Sequence, residues 1–412
     1  MKTEKRELTV RALFLLLYAG LGAMIYRMYL RQAIRFPGRY GAYESDLRLH
    51  IKEGRDGTGY SLIEHCYAFI LDTLKMNEKG IGIFLAIVVL ATVLVTYLVM
   101  RRLAPTVNRY LLHILAFAAI MVMPVYLPGV NPYRYLGMQC GAIWHNTTFV
   151  GMRLAAMLLL LFYYQYQERY LKRFSAADFI LFTLLLCFVN MMKPNFIVAF
   201  APAMAVMLLT DCIATKGKTL KRQILFGIPV LISLVVVLWE MTMLFPASES
   251  SGSAIGFSVA YLLRLRTYHP VISLLQSAAF PLLVLIANYR LLKSDRVFRV
   301  SWLVWLFGLL EYLFIHEEGP RKDHGNLSWG YSFCIYLVFV VSFCKYCENV
   351  KGFLAQYRES GEKSVAAWLK KSDCSQKLTC AYLVIAAVLL VLHLANGVSF
   401  FLWMYQGGTY VC

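Results

Sequence analysis

Apolar blocks of about twenty residues recur along the chain, and short charged stretches separate them. Twenty residues of helix is the length that crosses a hydrocarbon layer of about 30 Å. Such a layer leaves no water for backbone groups, so only closed barrels and helices can span it. The blocks are too long for barrel strands and read as helices. The chain has 412 residues, of which 59% are hydrophobic and 16% charged. A soluble globular chain carries about 25% charged residues. The mean hydropathy of +0.59 excludes a single buried core as the home of these apolar residues. Spanning helices are expected at about 8–30, 80–100, 110–128, 147–167, 176–192, 196–212, 223–245, 270–289, 297–315, 328–345 and 379–404. The expected fold is an all-α, polytopic bundle of about eleven spanning helices, one transmembrane domain over 1–412. The block from Leu8 to Leu30 is too long for the apolar part of a signal peptide and reads as the first anchor.

Charge orients the bundle. With the N-terminus in the cytoplasm, segments 1–7, 101–109, 168–175, 211–222, 290–299 and 344–377 are cytoplasmic and hold 24 Lys and Arg. The outer loops after the first hold six. Positive residues gather on the cytoplasmic side, so the C-terminus falls outside. The first outer loop, 31–79, holds eight Lys and Arg against seven acids. It reads as a structured element with surface helices. The net charge of +18 sits at helix ends, which points to membrane lipid rather than nucleic acid. Segment 346–377 reads as a cytoplasmic amphipathic linker. The ten cysteines form no disulfide framework, and Cys344-Lys-Tyr-Cys347 stands alone as a C-x-x-C match.

Chemically loaded residues concentrate on the outer side: Asp46, His50, Glu64, His65, His145, Lys193, His269, His316 to Glu318, Asp323 and His324. An outer cleft is therefore the expected site. Tyr43 to Ile51 suits a short helix with Asp46 and His50 on one face, Leu47 and Ile51 lying on the bilayer surface, and a Glu44–Arg48 pair. Ser61 and Glu64 suit the start of a second helix. A carboxylate beside an imidazole can take a proton from a hydroxyl or hold a divalent metal; solvated loop charges are the plain alternative. Asn146 or Thr147 suits the cap of the fourth helix, whose N-terminus would attract an anion; a plain cap with Trp144 in the interfacial belt is the alternative. Lys193-Pro194-Asn195 forms a charged turn between short helices. A lysine there either snorkels or meets an anion. Arg264, Arg266, Arg321 and His324 could close a phosphate clamp with it. Asp178, Glu240 and Glu311 lie within apolar blocks, where an acid raises transport as a function, but three unrelated acids without paired broken helices make a poor transporter signature.

Glu44-Ser-Asp46-Leu-Arg-Leu-His50 after the first span resembles the acidic first loop of C-type glycosyltransferases. The Lys193-Pro194-Asn195 turn, Trp144-His-Asn and Gly325-Asn-Leu-Ser-Trp-Gly-Tyr331 resemble related uncharacterised bacterial membrane proteins. The resemblance implies a polyprenyl-phosphate sugar as donor, in a bacterial plasma membrane. It implies Asp46 as general base, with Glu44 and His50 beside it. Lys193, with Arg264 or Arg266, would neutralise the leaving phosphate; His145, Asn146, Asn195, Arg321 and His324 would orient substrate. A divalent metal is compatible with such a site but not required. A transporter or flippase of a lipid-linked anion, or a non-catalytic membrane subunit, fits the same cleft.

Overall fold

The computed structural model describes residues 2–135, 139–244 and 255–410. It is helical almost throughout. The long helices are α1 (Lys2–Ile34), α4 (Glu78–Leu103), α6 (Thr147–Arg169), α8 (Asn195–Ala214), α9 (Leu220–Leu244), α11 (Pro270–Ala287), α13 (Arg296–Phe314), α14 (Trp329–Glu359) and α16 (Cys374–Tyr405). Among the described residues these nine contain stretches long and apolar enough to cross a membrane. Two shorter apolar helices, α5 (Arg109–Ala119) and α7 (Ala176–Met192), fill the other two expected positions. The chain therefore has the architecture of a multi-pass membrane protein. The last residue of the expected 223–245 helix and residues 245–254 lie outside the described residues.

Helix α14 is the axis. Every residue from Trp329 to Cys344 is buried, as expected of a helix that is apolar all round. It packs on α4, α8, α11, α13 and α16. Helices α7 and α9 pack on each other at the bundle's flank. The Pro194 break lets α7 lie on α6 while α8 turns to α13.

One expected helix is shortened. α5 stops at Ala119, and residues 120–135 and 139–146 run without helix or strand. Pro124, Pro128 and Pro132 forbid continued helix there. Several backbone polar groups of this segment are taken up by neighbouring helices, as a segment without helix inside a membrane requires. Met123 N donates to His393 O and Val125 N to Gln276 O; Pro124 O accepts from Asn396 Nδ2 at 2.9 Å. Met123 O lies 2.6 Å from His393 Nδ1, and Phe280 N donates to His393 Nε2. This fixes the tautomer, with the proton on Nδ1. Phe280 lies at the break in α11, where Ala278 is non-helical and Pro281 follows. Gly397 makes the close approach possible, since a Cβ there would fall 1.4 Å from Met121 O. Arg153, fully buried in α6, ties the segment from below through a 3.0 Å bond to Gly141 O.

The first loop folds as expected in outline and differently in detail. A two-residue hairpin, β1 (Pro37–Gly38) and β2 (Gly41–Ala42), precedes α2 (Leu47–Asp56) and α3 (Leu62–Ala68). Residues 43–46 are not helical; Asp46 is the cap residue of α2. Leu47 does not lie on a bilayer surface but is fully buried in the main core. Its face is occupied by the bundle beneath. Glu44 and Arg48 are both exposed, and no ion pair joins them among the described residues. A turn of π-helix, Phe69–Thr73, leads to α4.

The remaining elements are short. A strand pair, β3 (Ile255–Phe257) and β4 (Ile315–Glu317), closes over α10 (Tyr261–Arg266), and α12 (Leu291–Ser294) links α11 to α13. Beyond α14, α15 (Val365–Lys371) folds back, and Trp368 is buried against Phe353 and Leu383. The expected linker is thus a packed hairpin, because Trp368 has an apolar wall to join.

Candidate functional site

The first loop, the start of α6, the α7–α8 turn and the end of α16 meet at one end of the bundle, the end where α1 finishes. Ser61 Oγ donates to Met192 O at 2.5 Å, and Gln32 Nε2 to Trp144 O. Tyr43 OH donates to Tyr405 O, and Arg39 N to Gln406 O at 2.8 Å. The first loop is therefore stitched to the starts or ends of α6, α7 and α16.

At its centre a hydrogen-bond chain joins the acid to the lysine. Asp46 N donates to His145 O, which sets the carboxylate beside the start of α6. Asn146 Nδ2 donates to Asp46 Oδ2 at 2.8 Å. Asn146 Oδ1 caps α6 through Phe149 N at 3.0 Å and accepts from Thr148 Oγ1 at 2.8 Å. The Thr148 oxygen accepts in turn from Lys193 Nζ at 2.8 Å. Asn146 is thus both the cap and the link, and Asp46 is half-buried at the open end of the chain.

Lys193 is 4% exposed. Besides Thr148 it donates to Tyr60 OH at 3.2 Å, and its ammonium stands 5.3 Å above the Trp329 ring. No carboxylate among the described residues is within ion-pair distance of it. Asp46, Glu64, Glu317 and Glu240 surround it at longer range. Burial pushes its pKa down to about 8, against the lift from those acids. Burial also raises the Glu317 carboxyl, although Asn326 Nδ2 donates to it at 2.9 Å. The site is packed rather than an open cleft, because Trp329, Tyr60 and Thr148 fill the space around the ammonium.

The two other expected partners of Asp46 point elsewhere. His50 turns away to α3: its Nδ1 lies 2.6 Å from Glu64 Oε1 and 3.4 Å from Glu53 Oε2. Burial lowers its pKa, but the Glu53 and Glu64 carboxylates outweigh that and hold it above the usual value. Glu44 is exposed. His145 is buried, stacked on Tyr410 at 3.9 Å and 9°; burial lowers its pKa to about 4, so the imidazole is neutral. Trp144 is fully buried, not at an interface.

Asn195 is a clip. Its Nδ2 donates to Asn326 O at 2.7 Å and Leu327 O at 3.0 Å, tying α8 to the 3-10 turn Asn326–Ser328. A Cβ on Gly330 would fall 2.5 Å from Asn195 O, so only glycine lets α14 start there. The expected clamp of basic residues does not close on Lys193. Arg264, Arg321 and His324 are exposed. Their segments are held outward by Tyr261 OH to Asp323 Oδ1, 2.5 Å, and by Lys322 to Glu318, 3.0 Å. Arg266 is half-buried and donates to Asp323 O at 2.8 Å; it is near enough to act electrostatically on Tyr410 and Tyr135.

Sequence reasoning missed Tyr60, Thr148, Trp329 and Tyr410. Tyrosine, threonine and tryptophan near helix ends are too common to single out without their partners. Another cavity, about 390 Å³, opens at the opposite end among Arg11, Phe14, Tyr18, Tyr97, Arg109 and His113. No protein-family model matches the chain, and no curated protein matches it.

Proposed function

We propose that this chain is a membrane glycosyltransferase of C-type architecture. It moves a sugar from a polyprenyl-phosphate donor to an acceptor on the outer face of a bacterial plasma membrane. In this reading the chain crosses eleven times, with α5 and α7 as short crossings, the N-terminus cytoplasmic and the C-terminus outside. One observation carries it: Lys193 is a buried ammonium with no contacting anion among the described residues, linked through Thr148 and Asn146 to the half-buried carboxylate of Asp46.

A buried cation held only by hydroxyls and a ring face is suited to an incoming phosphate. The donor's tail stays in the bilayer, and its phosphate meets Lys193. Asp46 takes the proton from the acceptor hydroxyl. That oxygen attacks the anomeric carbon while the carbon–phosphate oxygen bond breaks, with inversion. The leaving phosphate keeps the electron pair, and Lys193 stabilises it. Asn146 holds the Asp46 carboxylate in place.

The test is transfer of labelled sugar from a polyprenyl-phosphate donor by the purified protein in lipid nanodiscs. Asp46→Asn should lower the rate about 100-fold or more while the protein stays monodisperse. Equal transfer by wild type and Asp46→Asn would end the assignment of the base. A second reading has its own support. Glu240 and Glu311 are buried within spanning helices, and neither has a hydrogen-bond partner among the described residues. Intramembrane acids of that kind belong to ion-coupled transporters. Proton-coupled uptake into proteoliposomes, lost in Glu311→Gln, would favour it.

A further inference from the structure

We propose that His50, Glu53 and Glu64 form a binding site for one divalent transition-metal ion, independent of sugar transfer. The three offer one imidazole nitrogen and two carboxylate oxygens, all within 4.8 Å of one another. One nitrogen and two oxygens suit borderline ions such as zinc, cobalt(II) or manganese(II), whereas magnesium and calcium prefer all-oxygen sets.

The fold builds this cluster deliberately at the backbone level. His50 and Glu53 are three apart on α2 and share a face. Gly54 is the contact point between α2 and α3: a Cβ there would fall 2.1 Å from Glu64 O. Gly57, at φ 72°, ends α2, and Gly59 leaves room for the Glu64 carboxylate, whose Oε2 a Cβ there would meet at 2.6 Å. Glu64 Oε2 is occupied, accepting from Ser61 N at 2.9 Å. That bond aims Oε1 at His50.

The donor atoms converge on one point between α2 and α3. Glu64 is fully buried and His50 is 7% exposed. His50 Nδ1 and Glu64 Oε1 lie 2.6 Å apart as a buried ion pair, with Glu53 Oε2 3.4 Å from the same nitrogen. A metal ion would take the place of the proton that His50 and Glu64 share. An ion with bonds of about 2.1 Å holds its ligands about 3.3 Å apart, so His50 Nδ1 and Glu64 Oε1 would part by roughly 0.7 Å to admit it. Glu53 is partly exposed, which leaves a coordination position open to water.

Purified, chelator-treated protein in nanodiscs should bind one cobalt(II) per chain. The complex should show visible ligand-field bands without the near-ultraviolet thiolate band that cysteine coordination would add. Half-buried Cys66 makes that distinction necessary. Zinc should displace the cobalt. His50→Gln and Glu64→Gln should each weaken binding about tenfold or more; glutamine at 64 can still accept from Ser61 N. Wild type alone decides the matter if a variant does not fold. No saturable one-to-one uptake, a thiolate band, or unchanged affinity in two folded variants would each overturn the site. Such a result would leave a proton-bridged His50–Glu64 pair.

Discussion

Lys193 can be read as costly from the sequence, because a lysine between two apolar helices has to be accommodated. What accommodates it is not legible there. Thr148, Tyr60 and Trp329 come from the start of α6, the α2–α3 connection and the start of α14, and only the tertiary fold brings them to one ammonium. The same holds for His50. Its spacing from Asp46 suggests a shared face, yet Asp46 precedes the helix and His50 faces Glu64 from another element. The lowered Lys193 pKa has a signed consequence. Below about pH 8 the ammonium is charged in the folded protein. As pH rises through that value the charge is lost, so affinity for a phosphate should fall. Between there and about 10.4, the usual lysine value, the unfolded chain still holds the proton, so stability should rise with pH. Lys193→Met should bind a polyprenyl-phosphate probe about tenfold or more weakly at pH 7 and lose the dependence above 8. A titration in which wild type and Lys193→Met keep the same profile would remove Lys193 from phosphate binding.

The elements were legible in proportion to their apolar length. Long blocks became helices near their expected places, and the Ser61–Glu64 cap begins α3 as its spacing suggests. Failures came where tertiary partners replace local preference. The expected 110–128 helix ends at Ala119 because prolines follow, and 120–125 is tolerated only because His393, Asn396 and Gln276 receive its polar groups. No local pattern in 120–125 announces those partners, which lie about 150 and 270 residues away. Gly54 is the sharpest elemental prediction. Gly54→Ala forces a methyl into the Glu64 carbonyl, and rigid backbone on both sides cannot yield cheaply. Overpacking of this kind costs about 1–3 kcal/mol. The melting temperature of the detergent-solubilised variant should drop by several degrees, whereas Gly57→Asn, at an exposed left-handed turn, should change little. Equal melting of Gly54→Ala and wild type would mean the α2–α3 contact is looser than described.

At the scale of the molecule, sidedness is internally consistent: the contacts of the first loop, the α7–α8 turn and the α13–α14 loop all fall at one end. The opposite end carries the Arg296–Asp211 pair and the α15 hairpin. Lys52→Cys, at an exposed site, should react with an impermeant maleimide on intact spheroplasts, and exposed Cys374 only after permeabilisation. The reverse pattern would invert the orientation. The stitching of Arg39 and Tyr43 to the end of α16 also dictates an order of assembly. A ribosome finishes the first loop more than three hundred residues before it makes Gln406. Throughout that interval α2 and α3 wait at the membrane without their last clasp, and His145 waits without Tyr410 above it. The nascent chain therefore lacks the last contacts of the first loop and of His145. A translation arrest before α16 should leave an inserted bundle whose first loop remains open to proteases.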